Sequence, residues 1–234
     1  KSRITPAADI RTVAAKLPAT ILTDDGETFN LLYDEHGQLL VHTTGTAVHY
    51  YKPGNDHFLT QVLKETNGKV IYKHAQRDAH NRIIQLEKFS ADVPNVMMDF
   101  TYNIDGFLSN QKLHVEGSGM VQEFIYTYDA GNLAKVEEYE DAVLKSTLLM
   151  EYDNNRFNSV AIDLFDVKQI GFITDAQFGK QSKNLVKSIK ALIPDEQQGI
   201  AFQYFYKTDI DGYVKSMEIK NGNEALKKYN FIFQ

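Results

Sequence analysis

Apolar and polar residues alternate with period two along most of the chain. Met98, Phe100 and Tyr102 fall on one side of an extended segment, with Asp99 and Thr101 between them. The alternation returns at Phe124, Tyr126 and Tyr128, at Leu148, Met150 and Tyr152, at Phe202, Tyr204 and Tyr206, and at Tyr229, Phe231 and Phe233. Residues i and i+2 of a strand share a face, so each segment predicts a β-strand with one ring-rich side. The other side, with Glu123, Thr127, Glu151, Gln203, Lys228 and Asn230, is predicted to meet water. Rings at this spacing read as core before they read as a sugar-stacking platform. Tyr50-Tyr51, beside Pro53-Gly54, is the best candidate for an exposed aromatic pair.

Each strand runs into a reversal signal of Tyr, then Asp or Asn, then Gly or Asn. Copies stand at Tyr33 to Gly37, Tyr102 to Gly106, Tyr128 to Gly131, Tyr152 to Asn155 and, stretched, Tyr206 to Gly212, with a copy lacking Tyr ending at Asn81. The chemistry is that of a hairpin: Asp and Asn bond their own turn backbone, and Gly or Asn accepts positive φ. The Gly or Asn positions 81, 106, 131 and 155 lie 24 or 25 residues apart. Further reversals are signalled at Asp24 to Gly26, Pro53 to Asp56, Asn67-Gly68, Gly117 to Gly119, Glu140-Asp141 and Asn221 to Asn223. These connections are too short for crossover helices, so the prediction is an all-β antiparallel meander of about 12–14 strands.

So many strands curl or split a sheet, which leads to a strongly curved or partly closed barrel-like sheet, or a sandwich. Residues 1–234 read as one domain. The rhythm breaks at about 165–184, a short helical or loop insertion that reads as a plug over the curled core, with a binding loop as the alternative. Ala7 to Leu17 is expected to form a helical turn before Pro18.

The Tyr-Asp-x-x-Gly phrases resemble the YD-repeat type of β-hairpin array. The segments Tyr33 to Leu39, Tyr102 to Leu108, Tyr128 to Leu133 and Asp209 to Val214, with Phe178 to Leu185, are similar to exported Bacteroidetes-type lipoproteins of unknown function. The resemblance implies a wrapped antiparallel sheet, export across the inner membrane and a lipid-anchored Cys upstream. It brings no activity with it. The Asn81 copy lacks Tyr and the last copy is lengthened, so the hairpins are not all equivalent.

With 25 Lys+Arg against 31 Asp+Glu the net charge is −6, which speaks against nucleic acid or anionic lipid as a general partner. The chain has no Cys, which removes disulfides, thiolate metal sites and a Cys nucleophile. No stretch reaches 18 uninterrupted apolar residues, so no transmembrane helix is expected. Any export signal is expected to have been removed already.

Candidate chemistry is thin. His42, His49 and His57 lie close in sequence, but none of the seven histidines forms His-x-His or His-x-x-x-His, so surface or turn roles outweigh a metal site. Asp24 to Glu27 and Asp209 to Gly212 look like calcium loops, yet Lys220 stands where a late Glu belongs; hairpin turns are the better reading. Ser109 to Lys112 spells Ser-x-x-Lys and Ser182 to Asn184 spells Ser-x-Asn, but residues three apart on a strand face opposite sides. Gly117 to Gly119 reads as a hairpin tip, and Glu137-Glu138 with Glu140-Asp141 as a solvated edge.

No catalytic, cofactor, metal or ligand-binding residue is therefore assigned, and no cofactor is expected. The leading expectation is a non-catalytic binding or scaffolding module at the periplasm or cell surface, engaging a glycan, peptide or protein. An outer-membrane-type β-barrel is the second reading, opposed by strands near eight residues and by outward Asp99, Glu123 and Glu151. A hydrolase with an unrecognised active site is the third.

Overall fold

Sixteen antiparallel strands follow one another in chain order, each hydrogen-bonded to the next, and the last returns to the first, closing a barrel. The computed structural model describes residues 16–35, 39–51, 57–63, 68–91, 93–158, 178–194 and 199–233. The first half comprises β1 (Pro18–Thr23), β2 (Thr28–Tyr33), β3 (Leu39–Thr43), β4 (Ala47–Tyr51), β5 (His57–Leu63), β6 (Lys69–Arg77), β7 (Ile83–Ser90) and β8 (Val96–Tyr102). The second comprises β9 (Leu108–Val115), β10 (Val121–Asp129), β11 (Asn132–Glu140), β12 (Val143–Phe157), β13 (Asn184–Leu192), β14 (Ile200–Thr208), β15 (Val214–Asn221) and β16 (Glu224–Phe233). At the seam Ile21 lies opposite Phe231, Leu22 opposite Asn230 and Thr23 opposite Tyr229.

The meander is thus longer than expected and the sheet fully closed. Reversals without Asn or Asp escaped notice: Thr44 turns the chain with its own hydroxyl, which accepts the N–H groups of Thr46 and Ala47 at 3.2 and 2.9 Å. The Tyr152 to Asn155 phrase, conversely, stays inside β12, and the chain returns only at Asn184. Because strands alternate in direction, a unit of about 25 residues is two strands, and every Tyr-Asp phrase falls on the same rim.

The ring-bearing face points inward. Ile83, Leu86 and Val214 are 0% exposed, and Met98, Phe100, Ile189, Met217 and Phe231 are buried with them. Phe124, Tyr126, Tyr128, Leu148, Tyr152, Phe202, Tyr206 and Tyr229 pack against this cluster. Each fully buried side chain of this kind stabilises the fold by about 1.5–3 kcal/mol. The tyrosines preceding the turns cap the core at the rim; Tyr102 donates its hydroxyl hydrogen to the Ile83 carbonyl at 2.6 Å.

No α-helix occurs among the described residues. The Ala7 to Leu17 turn falls mostly outside them, as does 165–177 of the insertion. Its described end is an extended strap over the Tyr rim. Lys180 N–H donates to Gly106 O, and Lys183 N–H to Gly131 O, each at 3.0 Å. Ser182 Oγ accepts from Leu133 N–H at 3.1 Å and lies 3.0 Å from the Tyr152 hydroxyl. Asn184 N–H donates to Asn132 Oδ1 at 2.9 Å, and Asn132 Nδ2 donates to Asn184 Oδ1 at 3.1 Å. Phe178 meets Phe100 edge-on, 5.0 Å between ring centres, so this part of the insertion plugs the core.

Gly179 is the tightest point of the strap. At φ +89° a Cβ there would stand 2.8 Å from Gly106 O and 3.0 Å from the Tyr102 ring, whereas at Gly222, φ +57°, it would meet nothing within 4 Å. Gly179→Ala is expected to lower the unfolding free energy by about 2–3 kcal/mol, and Gly222→Ala by about 1 kcal/mol, the cost of positive φ alone. Urea unfolding of the two variants checks the difference.

Candidate functional site

Alternation that sends Leu86 and Met98 inward sends Glu87, Phe89 and Met97 outward. Here β7, β8 and β9 border a groove of about 410 Å³ on the barrel's outer wall, lined by Glu87, Phe89, Asn95, Val96, Met97, His114, Val115 and Glu116. Register brings these residues together: Lys73, Glu87, Met97 and His114 are successive partners across β6 to β9.

The floor is the ring of Phe89 and the thioether of Met97; the walls hold the carboxylates of Glu87 and Glu116 beside His114 and Asn95, and Asp99 lies just beyond them. Glu87 lies 2.8 Å from His74 Nδ1, Asp99 lies 3.3 Å from His114 Nε2, and Glu116 accepts from Asn95 Nδ2 at 2.7 Å. Among the described residues no carboxylate lies within ion-pair distance of the Lys73 ammonium, which sits 3.7 Å over the centre of Phe89. A bulge between Lys73 and Gln76 places His74 at φ +55° and turns its ring outward, edge-on to Phe89. A non-glycine residue in that conformation costs of order 1–3 kcal/mol, and bulges commonly re-aim a side chain beside a site.

The groove ends an uncharged row. Leu32, Val41, Tyr50, Thr60, Ile71 and Phe89 are register partners across β2 to β7, all outward because Leu31, His42, His49, Tyr51 and Tyr72 are buried. Beside it runs a second uncharged row, Thr20, Asn30, Thr43, Val48 and Val62. Past the groove the wall becomes a polar ladder: Gln85, Asp99, Lys112, Glu123 and Tyr139 in register. Gln85 donates to Asp99 at 2.8 Å, Lys112 pairs with Glu123 at 3.2 Å, and Asn110 donates to Glu123 at 2.6 Å.

The residues singled out in the sequence lie elsewhere. Tyr50 is outward and Tyr51 inward. His42 and His49 are cross-strand partners inside the barrel, ring centres 5.0 Å apart, with Phe29 stacked on His42. This corrects the surface reading of that pair; His57 pairs with Lys73 in register, and its side chain lies outside the described residues.

The acidic turns are hairpins. Asp209 Oδ1 accepts from the N–H groups of Asp211 and Tyr213, each at 2.9 Å, and Lys16 bridges Asp209 and Asp211. Asp25 binds Thr23 and Lys227; the Thr23 hydroxyl, before the Lys227 ammonium, holds its carboxyl at about 2. Ser109 Oγ donates to Thr101 O at 3.1 Å while Lys112 turns to Glu123. Ser182 and Asn184 are spent in the strap. Among the described residues no three His, Asp or Glu converge as metal ligands.

No family model matches the chain, and no curated protein is similar to it. Among solved structures it is similar to a porin-like protein from Bacteroides uniformis, with a TM-score of 0.70 at 12% identity over 93% of this chain and 98% of that one. It is also similar to a porin-like protein from Bacteroides vulgatus, with a TM-score of 0.66 at 13% identity over 94% and 99%. At such identity the likeness is one of fold.

The interior histidines carry a pH dependence. Burial, and secondarily the His49 charge, push His42 down to about 3, and burial lowers His49 as well. A folded-state value below the ordinary 6.5 means that the unfolded chain binds more protons in acid. This stability is therefore complete above about pH 6.5 and is lost as the pH falls toward 3. Between pH 7 and 4 the His42 contribution is about 3 kcal/mol. Urea unfolding across that range should show a shallower slope for His42→Leu than for the unmodified chain, whatever the variant's absolute stability.

Proposed function

We propose that the chain is an exported, non-catalytic binding or scaffolding barrel that works in water at the periplasm or cell surface, anchored by an upstream lipid. Its contact surface is the outer wall of β2 to β7. The observation that carries this reading is the division of the outer wall into an uncharged sector over β2 to β7, ending in a groove, and a sector over β7 to β11 covered by a hydrogen-bonded charge ladder. A continuous uncharged outward row is where a glycan, peptide or protein loses least on desolvation.

A second reading, an outer-membrane-type barrel, is supported by closure and by the porin-like neighbours, and the comparisons favour it over a binding or scaffolding module. No helix among the described residues is long and apolar enough to cross a membrane, which says nothing of strands. Three features weigh against lipid around this wall. A membrane barrel carries its apolar band outside and its polar residues within, and here Asp99, Lys112, Glu123 and Glu151 are outside while Phe100, Met98 and Phe231 are within. Strands β1 to β4 have 5 or 6 residues, below the roughly 9–11 that span a bilayer. The ladder's carboxylates would cost several kcal/mol each in hydrocarbon. A hydrolase draws little support, since Asp25, Asp78 and Asp209 are bound within their own turns.

Purified without detergent, the chain is expected to stay in the supernatant on ultracentrifugation and to remain at the bottom of a gradient in flotation with phosphatidylethanolamine/phosphatidylglycerol vesicles. Flotation, or detergent-dependent solubility, would turn the assignment to the membrane barrel. Replacing Tyr50 and Ile71 together by Lys should change stability by no more than about 1 kcal/mol, yet abolish ligand capture on glycan and peptide arrays.

A further inference from the structure

The groove at the end of the uncharged row has a charge imbalance that narrows its ligand. Glu87 and Glu116 flank the Phe89–Met97 floor, with Asp99 behind His114, and among the described residues no Lys or Arg nitrogen lies within ion-pair distance of any of the three. Their partners are imidazoles and amides. Lys73, the register partner of Glu87, rests 3.7 Å above the Phe89 ring, so the chain itself places an ammonium against that ring. A cation over an aromatic face gains about 0.5–1 kcal/mol at an exposed site and more once desolvated.

Resting on the outer-wall reading, we propose that this groove receives a Lys or Arg side chain of a partner protein whose backbone lies along the uncharged row. Continuity decides for a protein over a free amine: Phe89 is both the end of the row that begins at Leu32 and the floor of the acidic groove. A chain laid across Tyr50, Thr60 and Ile71 therefore delivers its next side chain to the carboxylates. The guanidinium or ammonium would take the solvent-facing lone pairs of Glu87 and Glu116 and the open side of Phe89, with the alkyl stem on Met97.

The test is an amide-shift NMR titration of the full chain with a short blocked Thr/Val peptide carrying one central Arg, beside its citrulline twin and spermidine. The Arg peptide should shift Glu87, Phe89, Met97 and Glu116 and the row through Tyr50, and the citrulline peptide should bind several-fold more weakly. Glu116→Gln should weaken the Arg peptide roughly threefold. Lys73→Ala should strengthen it by a similar factor, because two cations no longer share one ring. Thermal melts of both variants show that the fold is kept.

Equal binding of the Arg and citrulline peptides overturns the cation inference while leaving the outer-wall reading standing. Shifts confined to other faces, or no shifts at all, overturn it too. Spermidine binding as tightly as the peptide assigns the groove to a free amine and overturns the protein partner. The outer-wall reading itself falls only on vesicle flotation or on an unaffected Tyr50/Ile71 double variant.

Discussion

A sheet with one ring-filled face must hide that face, and among the described residues there is no helix or second layer to do it. Closing the sheet on itself is the remaining solution, and it removes the unpaired edges of β1 and β16 at the same time. Inside and outside then acquire separate duties. The inward rows make the core, so the outward rows are free of packing constraints, and their chemistry reflects what surrounds the barrel.

Much of this architecture is legible locally. Period-two rings and Asp- or Asn-led turns are short-range signals, and the 25-residue spacing of the turns foretells that they share a rim. Three features were hidden for identifiable reasons. The Thr44 reversal uses a hydroxyl where the others use a carboxylate or amide. The Tyr152 phrase has turn residues but no turn, because the insertion stands where its hairpin would close. Closure itself leaves no local mark, since it depends on Ile21 meeting Phe231, residues at opposite ends of the chain.

The outer-wall groove was far less legible. Phe89 and Met97 are unremarkable in the sequence, each one of several apolar residues in its strand. They become a floor only when the register of β7, β8 and β9 is known, and bulges shift that register unpredictably. His74 is the sharpest case: the bulge after Lys73 reverses the side its ring faces. His42 and His49 flank the Thr44 turn, so recognising that reversal would have paired them across two strands and suggested their burial. The strap shows the opposite lesson. Ser182 and Asn184, which look like an echo of catalytic chemistry, serve instead to tie the β10–β11 hairpin to the end of β12.

The seam between β1 and β16 sets the tempo of folding. Its pairs join residues separated by nearly the whole chain, so their loop-closure entropy is lost before any of their hydrogen bonds form, and high contact order slows the final step. Until β16 is available, fifteen strands present a growing ribbon with two open edges and a half-covered greasy face. Closure therefore waits on the ten residues of β16. A polypeptide lacking that one strand keeps every other hairpin and almost all of its core, yet is left as an adhesive, unfinished coil of sheet.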